Sequence, residues 1–342
     1  MRVLKSTGQE TPCVSVLCLA YNHEKYLRKM LESVFTQKTD FPFEVLVHDD
    51  ASTDSTPIIL EEAYKEHSEN LTVVFQDENQ YSQDIACNPQ FLFPRARGKY
   101  LAFCEGDDFW SDDHKLQRQY EALEKNPNCD MSVHAVQCVW ESGSDASKTY
   151  PAVELSEGVL DKQWLIDSII SRGRYLFQTS SYFIRSSIMI DENGCRRDIG
   201  NLAFWGDEGY IRIALAAGDV YYIERAMSCY RQFSNGSWST GQIGSEAAAQ
   251  RCEKIRSVNR EFDKLSGGEY REEVQLGDRF IDLLYLVGTG DVRSAYEYRR
   301  TEQYGFLSKY QRIEVEIGRI HPLVYGLIQR FRKLVMGIRR SR

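Results

Sequence analysis

Apolar and polar positions alternate along the first hundred residues in a regular way. Val14 to Ala20 is a short apolar run bounded by Pro12 and Asn22, the pattern of a strand buried on both faces. Asn22 is placed to cap a following helix, in which Tyr26, Leu27, Met30, Leu31, Val34 and Phe35 recur at helical spacing. Phe43 to Val47 predicts a second strand, closing on Asp49-Asp50, and Thr56-Pro57 opens a second helix with proline at its first position. Leu71 to Phe75 predicts a third strand, and Lys99 to Cys104 a fourth after a short helix ahead of Gly98. Such alternation predicts an α/β fold with a mainly parallel sheet.

Beyond Ser111 the rhythm loosens. Leu116, Tyr120 and Leu123 predict a helix ending near Asn126-Pro127, and Met131 to Val139 a strand. Glu141 to Lys148 reads as a polar loop, Trp164 to Ile170 as helix, and Ser180 to Ile184 and Val220 to Ile223 as strands. Trp205 to Glu208 opens a helix running to about Ala217. From about Ser245 the pattern is helical, which places a boundary near Thr240.

Parallel sheets collect ligands at the carboxyl ends of their strands. Here those ends carry Tyr21-Asn22, His48-Asp49-Asp50 and Glu105-Gly106-Asp107-Asp108. Clustered carboxylates at a strand end repel one another unless a positive group joins them, and a divalent cation bearing a polyphosphate would serve. The first strand is followed by Tyr21-Asn22-His23-Glu24, so the glycine fingerprint of a dinucleotide fold is missing; no P-loop occurs either.

Charge and cysteine usage narrow the picture. The net charge of -8 over 342 residues gives no support to nucleic-acid binding by the whole chain. Nine cysteines are scattered without a Cys-x-x-Cys pair, and several sit in apolar runs. That usage suits a reducing compartment rather than a disulfide framework. Met1 to Glu10 is polar, so no secretory leader is expected, and no apolar run is long enough to span a bilayer. The expected location is cytoplasmic.

Taken in order, the strand ends resemble family 2 glycosyltransferases of the GT-A fold. The matching pieces are Val14 to Asn22, Val47 to Asp54, Gly98 to Trp110, Trp205-Gly206-Asp207, and Tyr230-Arg231 with Gly236 to Ser239. The resemblance covers roughly residues 12 to 240. It implies a GT-A domain over 1–240, with a nucleotide-sugar-binding half at 11–110 and an acceptor half at 111–240, then a helical region over 241–342. It further implies a nucleotide-diphosphate sugar donor, Mn²⁺ or Mg²⁺, and inverting transfer to an acceptor hydroxyl.

Carried over by position, Tyr21 and Asn22 line the donor pocket, and Asp50 and Asp49 take the nucleobase or ribose. Asp108 is the expected direct metal ligand and Asp107 a ribose or metal contact; Glu105 makes the motif a Glu-x-Asp-Asp variant. Asp207 is the candidate general base, with Glu208 as the alternative. Relatives often carry a histidine soon after Tyr-Arg; here Gln232 and Phe233 follow, so the third metal ligand is open, with Arg231 or water as candidates for the phosphates.

From Ile320 the apolar positions Leu323, Val324, Leu327, Ile328, Phe331, Leu334, Val335 and Ile338 share one helical face, while Arg330, Arg332, Lys333 and Arg339 oppose it. A basic amphipathic helix of this kind can lie on an anionic membrane, where a lipid-linked acceptor of surface polysaccharide or lipopolysaccharide synthesis would sit. The other outcome is a helix packed on the protein with a solvated basic face. Two rival functions stand beside the transferase. A nucleotidyltransferase would need a glycine-rich basic loop that this chain does not show. A non-catalytic carbohydrate-binding scaffold would have no need to keep both Asp108 and Asp207.

Overall fold

The structure is a computed structural model. It describes residues 1–141, 144–190, 206–232, 245–321 and 325–326. The elements are β1 (Arg2–Leu4), β2 (Val14–Ala20), α1 (Leu27–Phe35), β3 (Phe43–Asp49), α2 (Thr56–His67), β4 (Leu71–Phe75), β5 (Tyr100–Phe103), β6 (Phe109–Trp110) and α3 (Lys115–Lys125). They continue through β7 (Cys129–Trp140), β8 (Asp145–Tyr150), β9 (Gly158–Val159), α4 (Lys162–Ile166), β10 (Phe183–Arg185), α5 (Asp207–Ala217) and β11 (Asp219–Gln232). The helices α6 (Ser245–Leu265), α7 (Arg271–Thr289), α8 (Val292–Glu297), α9 (Glu302–Phe306) and α10 (Lys309–Ile320) follow.

The chain divides into two compact units. The first comprises residues 1–165, 175–241 and 261–269; the second comprises 166–174, 242–260 and 270–342. The first unit holds an 11-stranded sheet in the order β1-β4-β3-β2-β5-β10-β7-β11-β6, with β8 on β7 and β9 on β11. Strands β4, β3, β2 and β5 run parallel, so their carboxyl ends lie along one sheet edge. Every residue of β4 and β5 is buried, and all of β2 but Leu19. That explains why these strands read as continuous apolar runs. Helix α1 turns Leu27, Met30, Leu31 and Val34 into the core beside Val16, Cys18, Val45 and Val47.

Three expectations need correction. Asn22 does not cap α1: the helix starts five residues later, and its N-cap position, Tyr26, makes no side-chain capping bond. Glu141 to Lys148 is not all loop, because Asp145–Tyr150 pairs antiparallel with β7 despite its polar composition. The strand expected over Val220–Ile223 extends to Gln232, and three register shifts against β7 let its apolar pattern change phase along the way.

The second unit is helical. Phe280, Leu283, Val287, Ala295, Leu307 and Val315 make its core. Ser308 and Gln311 form a reciprocal capping box at the start of α10. No helix among the described residues is long and apolar enough to cross a membrane. Trp205, the stretch Gly236 to Ser239 and most of the basic segment after Ile320 lie outside the described residues.

Candidate active site

The loops after β2 and β3 are joined by hydrogen bonds. Asn22 donates its N–H to the Ser52 hydroxyl (2.8 Å), and its Oδ1 accepts from the Thr53 N–H (2.8 Å). The Asp50 N–H donates to the Ala20 carbonyl at 3.0 Å. Both loops turn through left-handed backbone, with φ of 55° at Asn22 and 62° at Ala51. Asparagine tolerates that region; alanine does so only at a cost of about 1–2 kcal/mol. Asn22 is therefore the clasp of this pair of loops, beside an exposed Tyr21.

Asp50 is buried, yet well compensated. Its Oδ1 accepts the Gln80 N–H (2.7 Å) and its Oδ2 the Tyr81 N–H (3.0 Å). Both donors belong to the turn after β4. Asp49 differs: its Oδ1 is buried with no hydrogen-bond partner. Burial pushes its carboxyl up to about 6, against the lowering effect of Ser52.

The end of β5 is pressed against the end of β2. Gly106 donates to the Leu19 carbonyl at 2.8 Å. A Cβ on Gly106 would stand 2.5 Å from His23 Nδ1 and 3.0 Å from Leu19 O, so only glycine fits this approach. Asp107 and Asp108 follow, 8% and 3% exposed, too deep for a merely solvated acidic turn. Asp108 Oδ1 accepts the Arg231 N–H at 2.9 Å. Burial, then the charge of Asp107, push the Asp108 carboxyl well above its ordinary range. Arg231 underlies the turn. Its Nε donates to the Asp107 carbonyl (2.9 Å), its Nη1 to the Glu141 carbonyl (2.8 Å), and its guanidinium stacks over Tyr26.

Helix α5 begins at Asp207, after Gly206 in left-handed backbone (φ 52°). The Asp207 side chain lies outside the described residues. Glu208 is held by buried Arg212, whose Nη1 donates to its Oε2 at 2.6 Å.

A divalent cation suits the second acidic end by its donor chemistry. Asp107 and Asp108 are adjacent, nearly buried carboxylates, and oxygen donors of this kind suit Mg²⁺ or Mn²⁺, which keep waters and take further oxygens from substrate phosphates. They supply two ligands only. The three-ligand clusters among the described residues lie elsewhere, at His48, Asp50 and Cys87, and at Asp112, Asp113 and His114.

Several residues around the site were not foreseen. His23 is buried with Nδ1 unpartnered, and desolvation lowers its pKa against the pull of Asp107 and Asp54. The amides of Gln80 and Tyr81 lie at the fourth parallel strand end, which the rule about carboxyl ends covers equally. Lys115 is fully buried, donates to Gln119 Oε1 at 2.7 Å and stands over the Trp110 ring. Its single positive charge in an acidic-rich stretch carries no signal of burial.

Residues 15–193 match the model of glycosyl transferase family 2. The chain belongs to this family. It is 33% identical over 143 residues to the putative teichuronic acid biosynthesis glycosyltransferase TuaG of Bacillus subtilis, covering 42% of this chain and 54% of that one. Two solved structures share the fold. S. aureus TarS 1-349 in complex with UDP-GlcNAc superposes with a TM-score of 0.55 at 17% identity, over 90% of this chain and 87% of that one. The mannosyltransferase PcManGT from Pyrobaculum calidifontis, in complex with GDP-Man and Mn²⁺, gives 0.51 at 16% identity, over 94% and 87%. The fold is thus the expected mainly parallel GT-A type, with a helical C-terminal region. The chain spans about 60% of the length of the first curated relatives it matches, uncharacterised mycobacterial proteins 28% identical over 226 residues.

Proposed function

We propose that this chain is a glycosyltransferase that moves a sugar from a nucleotide-diphosphate sugar to an acceptor hydroxyl with inversion, using Mn²⁺ or Mg²⁺. The observation that carries this reading is the state of Asp108: a carboxylate 3% exposed, beside a second carboxylate, pushed well above its ordinary pKa. Such a group is primed to gain from a cation. Asp107 and Asp108 hold the metal, which when bound neutralises charge on the departing nucleoside diphosphate.

The chain's own residues do the rest. Asp50 faces the nucleoside and accepts hydrogen bonds from an imide N–H or ribose hydroxyls with the lone pairs left over from its two amide partners. Asp49 and Tyr21 complete that pocket, and Asn22 keeps its walls together. Arg231 holds the acidic turn in place rather than reaching a phosphate, since its Nε and Nη1 are directed at main-chain carbonyls. Asp207 accepts the proton of the acceptor hydroxyl as it attacks opposite the leaving group. Glu208 is the weaker candidate because Arg212 engages its carboxylate. A positioned base of this kind contributes about 10²–10⁴-fold.

The acceptor in this reading is a lipid-linked or surface-glycan intermediate. The name of the relative TuaG supports that class, as does the basic amphipathic pattern of 320–342, which would rest peripherally on the inner face of the plasma membrane. Domain 1–240 carries the catalysis and 241–342 the helical region.

The test is calorimetry with UDP and GDP, with and without Mn²⁺, followed by a donor panel scored for nucleoside-diphosphate release. Metal-dependent nucleotide affinity is expected. Asp207→Asn should keep that affinity and lose turnover. Nucleotide affinity indifferent to metal would overturn the assignment. Removal of 320–342 should release the protein from anionic vesicles; retention would remove the membrane element.

A further inference from the structure

Behind the first acidic end lies a donor set of a different kind. A ring nitrogen of His48, a carboxylate oxygen of Asp50 and the Sγ of Cys87 lie within 4.8 Å of one another, and all three residues are buried. His48 is 0% exposed, and its Nδ1 has no hydrogen-bond partner. The other nitrogen, Nε2, faces the Gln76 side-chain amide at 3.1 Å, and the ring stacks on Phe91. A buried imidazole nitrogen without a partner calls for an explanation in a native protein. The Gln76 amide, turned over, would accept from Nε2–H and leave Nδ1 as a lone-pair donor, the usual support of a metal-ligating histidine.

We propose that His48, Asp50 and Cys87 form a second cation site, selective for a thiophilic divalent metal of the Zn²⁺ type, whose occupancy excludes the nucleoside from Asp50. The exclusion rests on the reading that Asp50 faces the nucleoside; the site itself does not.

The chemistry separates this site from the one at Asp107 and Asp108. Imidazole, carboxylate and thiolate together suit zinc, whereas two carboxylates and phosphate oxygens suit magnesium or manganese. One carboxylate and one thiolate would also cancel the charge of a divalent ion. Tetrahedral zinc holds its ligand atoms roughly 3.4–3.8 Å apart, so a contraction of up to about 1.4 Å completes the site. Cys87 can supply it, because its thiol makes only a long contact, 3.7 Å, to the Ile85 carbonyl. Burial holds that thiol protonated, with its pKa up at about 12, so the proton leaves to solvent as the metal–sulfur bond forms. Desolvation keeps His48 neutral, down at about 4, which is the ligating form. The segment from Tyr81 to Asp84 is exposed, so the cluster lies just beneath the surface. A fourth position is left for water.

The test uses Co²⁺ as a spectroscopic stand-in, added to the reduced full-length protein. The expected result is one equivalent bound with tetrahedral bands and a thiolate-to-cobalt charge-transfer band. That band should vanish on adding Zn²⁺ and should not form in Cys87→Ser or Cys87→Ala, with melting curves confirming that both variants fold. No band in the wild type, or a band surviving in both variants, overturns the site. Calorimetry with UDP and GDP in Mn²⁺ then tests exclusion. Zn²⁺ at about ten times its own dissociation constant should weaken nucleotide binding about tenfold in the wild type. In Cys87→Ser it should have little effect. A wild type that shows the band yet binds nucleotide equally with and without Zn²⁺ overturns the exclusion. Failure of both nucleotides to bind the zinc-free protein would refute the nucleoside role of Asp50 instead, and the cobalt band would still decide the site.

Discussion

At the end of β3 the Asp50 carboxylate accepts two main-chain N–H groups, from Gln80 and Tyr81. At the end of β5 the Asp108 carboxylate accepts one, from Arg231, and has Asp107 as its neighbour. Amide dipoles already compensate the first charge, so that end suits a neutral polar ligand and takes a metal only with help from an imidazole and a thiol. The second is undercompensated and suits a hard cation. The backing differs too. Behind the first stands His48, held neutral by desolvation; near the second is Lys115, buried against Trp110. Asp50 and Asp108, at strand ends of similar sequence, thus face opposite electrostatic demands, and the difference between these two carboxylates lies in the main-chain donors each receives.

The strongest way to break this comparison is Asp108→Asn. It keeps an oxygen for the Arg231 N–H and removes the charge, so metal-dependent nucleoside-diphosphate release should fall about 10³-fold or more with little change in melting temperature. An equal fall in Asp50→Asn would show that the two ends do the same job.

Lys115→Met probes the backing of the second end. The lysine's folded-state pKa is down at about 7 from 10.5, chiefly by desolvation. The unfolded chain therefore binds a proton that the folded chain resists. The resulting loss of stability is complete below pH 7 and fades as pH rises towards 10.5, at about 1.4 kcal/mol per unit. Lys115→Met should be a few kcal/mol more stable than wild type at pH 7, less the contacts to Gln119 and Trp110. Denaturant melts should show the gap narrowing by pH 10. A gap that does not depend on pH would mean that the lysine is charged in the fold.

Asp50→Asn should raise the donor KM roughly tenfold, about 1.4 kcal/mol, with kcat little changed. A change confined to kcat would move Asp50 out of donor binding. The smallest effect is expected from Ala51→Gly. It relieves left-handed backbone at φ 62°, and after glycine's extra chain entropy a gain of about 0.5 kcal/mol remains. A loss of stability there would show that the turn is held by contacts to the methyl group.

Legibility followed burial. The expected bounds of β2 and β4 agree with those found, and α2 begins at Thr56 as the Thr-Pro pair indicates. Polar β8 was not legible, because its backbone is satisfied by β7 whatever its side chains are. The length of β11 was hidden by three register shifts that break the alternation. Asp49, Asp50, Asp107 and Asp108 were recognisable as candidates from their places at strand ends. Their separate states were not, because Gln80, Tyr81 and Arg231 come from distant parts of the chain. The same holds for Asn22, which looks like a helix cap until Thr53 is seen to occupy its side chain.

Sequence alone determined the class of this protein: a parallel sheet with acidic strand ends, and a family pattern running through them. It could do so because apolar runs and turn residues act locally and leave their period in the chain. Only the tertiary structure decided which carboxylate is compensated, which base is buried neutral, and that a histidine, an aspartate and a cysteine from separate segments converge. Those properties depend on desolvation and on donors supplied from far along the chain, and neither is written in local order.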